Sequence, residues 1–136
     1  MVNRSKSFSL IKRIQSFKYA FSGLKTLFKE EHNARIHLVA AVIVIVSGFA
    51  FRISALEWLA IVFSIGFVFT AEIINSAIEN LADYVSQGEN DLIKKAKDLS
   101  AAAVLVSAIT SFVVGIIVFL PKIIAYVYQV KNPFQA

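Results

Sequence analysis

The sequence contains no cysteine, which excludes a disulfide framework, a thiolate metal site and a thiol nucleophile. Its five glycines, Gly23, Gly48, Gly66, Gly88 and Gly115, stand singly, so no G-x-x-x-x-G-K-[ST] loop can wrap a phosphate in backbone N–H groups. The H-R-D and D-F-G sequences of protein kinases are missing too. Two histidines, His32 and His37, are too few for an evident metal site and are expected at a headgroup boundary. Charge is also scarce, at 17% of residues. What fills the chain is apolar: 57% hydrophobic residues and a mean hydropathy of +0.69, far above the balance of a soluble domain. With 136 residues of this composition, the chain reads as one membrane-embedded domain or one subunit of an assembly. The net charge of +5 does not point to nucleic acid, because the basic residues are distributed by topology and not clustered among stacking aromatics. A cleavable signal peptide is not expected, since no compact apolar stretch near the start leads to a small-residue cleavage site.

Taken in order, the chain divides into a surface segment over 1–35 and a three-span core over 36–136, with spans of about 36–52, 56–85 and 97–121. From Phe8 to Lys29 the residues Leu10, Ile14, Phe17, Phe21, Leu24 and Phe28 recur at helical steps, with Lys12, Arg13, Lys18, Lys25 and Lys29 on the other side. That pattern predicts an amphipathic helix in the headgroup plane of an anionic leaflet. The first apolar run, Ile36 to Phe51, holds sixteen residues and rises about 24 Å. Against a hydrocarbon core of about 30 Å, the flanking Arg35 and Arg52 must snorkel and extra helical turns must be added. Trp58 opens the second run as an interfacial anchor. Val85 to Lys97 reads as a polar loop, and Ser100, Ala103, Ser107, Ser111 and Gly115 form a small-residue packing stripe on the third span. The tail from Ile123 is undiagnostic. Lys and Arg are concentrated before the first span and in the loop after the second, which predicts a cytoplasmic N-terminus.

The informative stretch runs from Glu72 to Asp83, Glu-Ile-Ile-Asn-Ser-Ala-Ile-Glu-Asn-Leu-Ala-Asp, at the end of the second apolar run. Glu72, Asn75, Glu79 and Asp83 are spaced by three, four and four. At about 100° per residue they fall within an arc of about 80°, with Ser76 on its flank. Ionisable groups at membrane depth mark function by default, although a polar seam between packed helices would also produce a stripe. Carboxylates at an interface with lysines nearby suit a divalent cation holding a polyphosphate. Phosphoryl transfer needs metal ligands, a cation for the phosphates and a base near the attacking hydroxyl. Glu31, Glu79, Lys97 and Glu72 are candidates for those roles in that order. Two other classes compete: an oligomeric cation channel or transporter, and a non-catalytic membrane scaffold. A channel predicts a continuous polar path, whereas Leu59 to Thr70 is almost wholly apolar.

The segment Glu72-x-x-Asn75-Ser76-Ala77-Ile78-Glu79-x-x-x-Asp83 resembles the signature of the small prokaryotic diacylglycerol kinase family, which includes undecaprenol kinases. Gly23-Leu24-Lys25 leading to Glu31, and Ala96-Lys97-Asp98 followed by Ser100-Ala101-Ala102-Ala103-Val104-Leu105, stand at the family's spacing, so the resemblance covers about residues 12 to 120. It implies an all-α membrane protein, a homotrimer of three-span subunits, each with an amphipathic surface helix. The implied activity transfers the γ-phosphate of MgATP to a lipid primary alcohol, with ATP as co-substrate and Mg²⁺ as the ion. The site would lie between subunits at the cytoplasmic face of the bacterial inner membrane. By position, Glu31 and Glu79 are implied as metal ligands, Glu72 with Asn75 as the catalytic pair, and Glu72 with Ser76 as the lipid contact. Lys12, Tyr19, Asp83, Lys97 and Asp98 are implied on the nucleotide side with Glu31 and Glu79. The loop departs from the pattern, since Gly88-Glu89-Asn90 replaces a Tyr-His-containing stretch. Asn33-Ala34-Arg35-Ile36-His37 resembles the start of the first span in the undecaprenol-kinase branch, which favours undecaprenol over diacylglycerol as acceptor.

Overall fold

The computed structural model describes residues 10–86, 88 and 90–131, with side chains from residue 13 onward. It holds four helices: α1 Leu10–Glu30, α2 His32–Ala50, α3 Ala55–Val85 and α4 Asp91–Lys131. No strand occurs among the described residues. Helices α2, α3 and α4 are each long and apolar enough to cross a membrane. Their outward faces carry Ile43, Phe63, Phe112 and Ile117 in the open, a surface that is stable only where lipid covers it. The expected all-α membrane architecture is therefore what the chain forms.

The turn between α2 and α3 is built from local chemistry. Phe51 and Arg52 close the end of α2 through N–H bonds to the Ser47 and Phe49 carbonyls, and Arg52 takes a left-handed φ of 50°. Ser54 then caps α3: its backbone N–H donates to Glu57 Oε2 at 2.6 Å, and its Oγ accepts from the Glu57 N–H at 3.4 Å. This reciprocal pair satisfies two of the donors that a helix start leaves open. Beside it, Ile53, Ile61 and Val118 form a buried cluster flanked by Trp58 and Phe119. Lys122 on α4 donates to Glu57 Oε1 at 3.0 Å, which ties α4 to the same end.

Gly48 is needed there for close approach. A Cβ at this position would stand 2.7 and 2.9 Å from ring carbons of Trp58, too near for either side chain to stay put. We expect Gly48→Ala to lower the thermal midpoint in detergent, at a cost of about 1–3 kcal/mol for overpacking. Adding Trp58→Leu should recover part of that loss, and a midpoint unchanged in the single variant would contradict the packing.

One expectation is corrected by α4. Asn90 caps the helix, its Oδ1 accepting the N–H groups of Leu92 at 3.0 Å and Ile93 at 3.3 Å. Lys94, Lys95 and Lys97 therefore lie on α4 and not in a loop. At the other end the helix passes through Pro121 and continues to Lys131. Proline deprives the Ile117 carbonyl of its donor, but the apolar residues that follow continue the helix. The small-residue stripe is half right. Ser107 is fully buried and Ser111 Oγ donates to the Ser64 carbonyl of α3 at 3.1 Å. Ala103, by contrast, is exposed, and nothing lies within 4 Å of where a Gly115 Cβ would stand.

Helix lengths place the polar stripe. Starting from the cap at Ser54, about twenty residues at 1.5 Å each cross a hydrocarbon core of about 30 Å. That brings the apolar boundary close to Ser76, so the 31 residues of α3 carry the stripe through the interface and out of it.

Candidate active site

The site begins at the break between α1 and α2. Leu27 and Ala34 are buried on either side of it, and Phe28 meets Phe69 of α3 edge to face, with centroids 5.7 Å apart. These contacts press the junction against α3. Glu31 occupies the N-cap of α2 in an extended conformation, φ −92° and ψ 117°, yet its side chain caps nothing. An N-cap carboxylate normally accepts its own helix's N–H groups. Here it crosses to α3, where Oε1 accepts a hydrogen bond from Ser76 Oγ at 2.8 Å. Arg35 Nε donates to the Glu31 carbonyl at 3.3 Å and steadies the corner.

Along α3 the polar residues sort into pairs. Asn75 Nδ2 donates to Glu79 Oε1 at 3.0 Å, one turn on. Asn80 Nδ2 donates to the Ser76 carbonyl at 2.8 Å. Asp83 is turned toward α4, where Lys97 Nζ donates to its Oδ1 at 2.8 Å. Asp83, Lys97 and Asp98 line a polar cleft of about 470 Å³ together with Ser86, Asn90 and Lys94.

Glu72 is the deepest of the group, only 2% exposed. Its Oε1 lies 3.2 Å from His37 Nε2 of α2, close in distance but without the alignment of a hydrogen bond. Glu72 Oε1 and Asn75 Oδ1 are thus buried acceptors without a hydrogen-bond partner among the described residues. Buried acceptors of this kind are rare in native proteins and are accounted for by strain, a catalytic role, or a bound water or ion. The negative charges of Glu31 and Glu79 both bear on Glu72.

The expected site residues are therefore mostly brought together, in three steps along α3: Glu72 beside His37, then Glu31–Ser76 and Asn75–Glu79, then Asp83–Lys97 with Asp98. Tyr19 is exposed on α1, at 72%, and the structure does not bring it to this group. The side chain of Lys12 lies outside the described residues. His37, expected at a headgroup boundary, is the residue to which sequence reasoning gave no place in the site. Only the crossing of α2 over α3 sets it against Glu72, and no local spacing reports that.

The donor set suits a hard cation. Among the described residues, no three His, Asp or Glu side chains form a ready-made metal site. Glu31, Glu79 and the unpartnered Asn75 Oδ1 offer oxygen only, which fits Mg²⁺, an ion bound by one or two carboxylates plus substrate phosphates.

Three apolar helices thus carry acid and amide groups to a boundary next to a lysine-lined cleft, an arrangement that suits phosphoryl transfer at a membrane. Comparison with known proteins gives the family. Residues 18–119 match the model of prokaryotic diacylglycerol kinase, and the chain belongs to that family of ATP-dependent lipid kinases. It is 38% identical to the undecaprenol kinase of Bacillus subtilis (strain 168), over 80% of this chain and 89% of that one. Identity is 33% to a diacylglycerol kinase of Synechocystis, over 81% of this chain and 63% of the relative. It is 32% to that of Haemophilus influenzae, over 84% and 98%.

Proposed function

We propose that this chain transfers the γ-phosphate of MgATP to the primary hydroxyl of a membrane polyprenol, undecaprenol in preference to diacylglycerol. The observation that carries the reading is the buried Glu72 carboxylate, with an unpartnered oxygen, set where α3 leaves the apolar core. It is flanked by Glu31 and Glu79. A metal-dependent kinase explains why these like charges stand together, whereas a packing seam does not. The preference for a polyprenol is supported by the undecaprenol kinase of Bacillus subtilis and by the Asn33–His37 block.

Glu31 and Glu79 are assigned as ligands to Mg²⁺, whose charge offsets that of the phosphates. Ser76 holds Glu31 against α3, and Asn75 fixes the Glu79 carboxylate along its own helix. Lys97, Asp83 and Asp98 face the nucleotide, with Lys12 and Tyr19 of the surface helix joining on assembly. Glu72 accepts the proton of the lipid hydroxyl. As that O–H bond breaks, the oxygen forms a bond to the γ-phosphorus, and the bond from the γ-phosphorus to the β-bridging oxygen breaks to release ADP. Positioning and charge neutralisation supply most of the rate in such transfers. The groove between α2, α3 and α4 is lined by residues such as Ala40, Val44, Ile61, Phe112 and Phe119, which suits a lipid environment better than a cation path.

The remaining assignments follow the same reading: a homotrimer with the site between subunits, in the bacterial cytoplasmic membrane, with the N-terminus and the site on the cytoplasmic side. The test supplies the purified protein in micelles with labelled ATP and Mg²⁺, offering undecaprenol and diacylglycerol side by side. Phosphorylated undecaprenol should form faster. Faster labelling of diacylglycerol would reverse the acceptor assignment, and labelling of neither lipid would overturn the kinase reading.

A further inference from the structure

We infer that His37 is a positioning residue for this reaction, holding the Glu72 carboxylate in place at the head of the apolar groove. The inference rests on the assignment of Glu72 as the base. It starts from an imbalance of charge. Glu72 is buried, and the other groups facing it from the α1–α2 junction and from its own helix, Glu31 and Glu79, carry the same sign. Lys97, the lysine that reaches the stripe from α4, is bonded to Asp83. A buried carboxylate without a counter-group is strongly disfavoured, and the imidazole of His37 at 3.2 Å is the group that can supply one.

Position makes the contact more than neutralisation. His37 lines the groove between α2, α3 and α4, a cavity of about 500 Å³, whereas Glu72 does not line it. The ring therefore stands between the apolar space and the carboxylate. From α4 the residues facing that space, such as Ala108, Ser111 and Phe112, are uncharged. The side chain of His37 is 24% exposed against 2% for Glu72, so the imidazole is the part of the pair that is open to the groove. The off-line geometry of the pair is also what a base and its partner show before substrate tightens them.

The test uses the full chain in mixed micelles and follows lipid phosphorylation by wild type, His37→Ala, His37→Asn and His37→Gln. We expect kcat to fall about tenfold to hundredfold in the Ala and Asn variants, with the KM for MgATP changed by less than about twofold. His37→Gln should recover part of kcat, because its amide nitrogen can occupy the place of Nε2. Its pH–rate profile should nonetheless differ from that of wild type, because the neutral amide brings no charge to the Glu72 carboxylate. In combination with Glu72→Gln, His37→Gln should cause no further loss, the non-additivity of two residues that act as a unit. Wild-type kcat and pH profile in His37→Gln would overturn the inference, as would losses that add in the double variant or a loss confined to KM. Should the Ala and Asn variants fail to assemble, the Gln variant decides by its pH profile alone. A wild type that phosphorylates no lipid would sink the parent reading instead, which keeps the two failures apart.

Discussion

Glu79→Gln is expected to lower phosphate transfer by about 10³-fold or more while leaving the folded protein intact, a magnitude typical of removing charge stabilisation from a phosphoryl-transfer site. The substitution is chosen because its two consequences separate. Asn75 Nδ2 donates to Glu79 Oε1 at 3.0 Å, and the amide oxygen of glutamine accepts that bond equally well. What is lost is the negative charge, and a neutral amide is a poor ligand for a hard dication that prefers carboxylates and phosphates. Size-exclusion behaviour and thermal midpoint in detergent should match wild type, while transfer from labelled ATP nearly vanishes at any Mg²⁺ concentration. Near-normal turnover would show that Glu79 carries no ion.

The second large effect belongs to Glu72→Gln. Loss of a general base at this position should lower kcat by about 10²–10⁴-fold, with the affinity for MgATP retained. Stability should move the opposite way. The carboxylate is buried beside two other acids, so its neutral isostere removes repulsion and desolvation and should raise the thermal midpoint. A gain in stability with a loss of activity is the signature of a group kept for chemistry. Glu72→Ala would lose activity as well, but it would also leave a void beside His37 and lower the midpoint. An active Glu72→Gln enzyme would remove the residue from the mechanism.

Much of this arrangement was legible in the chain because it is carried by helical periodicity. Glu72, Asn75 and Glu79 share a face at any helix position, and a face of that composition stands out in an apolar run. The three long apolar helices follow equally directly from the composition of the runs. What could not be read locally depends on how one helix crosses another. His37 meets Glu72 only because α2 packs over α3, and Ser76 bonds Glu31 across 45 positions of chain. Asp83 likewise meets Lys97 of α4, a contact that no spacing along α3 reports. Helix ends were the other blind spot. The run from Asp91 to Lys97 looks like a loop by polarity, yet one Asn90 cap converts it into the first turns of α4.

These particulars bear on how the site is assembled. Glu31 is free to reach α3 because it stands at a break between helices, where its side chain has given up the usual capping role. Leu27 and Ala34 bury that corner, so the acid arrives on a rigid support.

The central claim is that the carboxylates of Glu31 and Glu79, from two different parts of the chain, share one nucleotide-bound ion. Binding of Mn²⁺ in place of Mg²⁺, followed by electron paramagnetic resonance with a non-hydrolysable ATP analogue, tests it directly. One nucleotide-dependent ion per subunit is predicted for wild type, lost in both Glu31→Gln and Glu79→Gln. Undiminished ion binding in either variant would contradict the account.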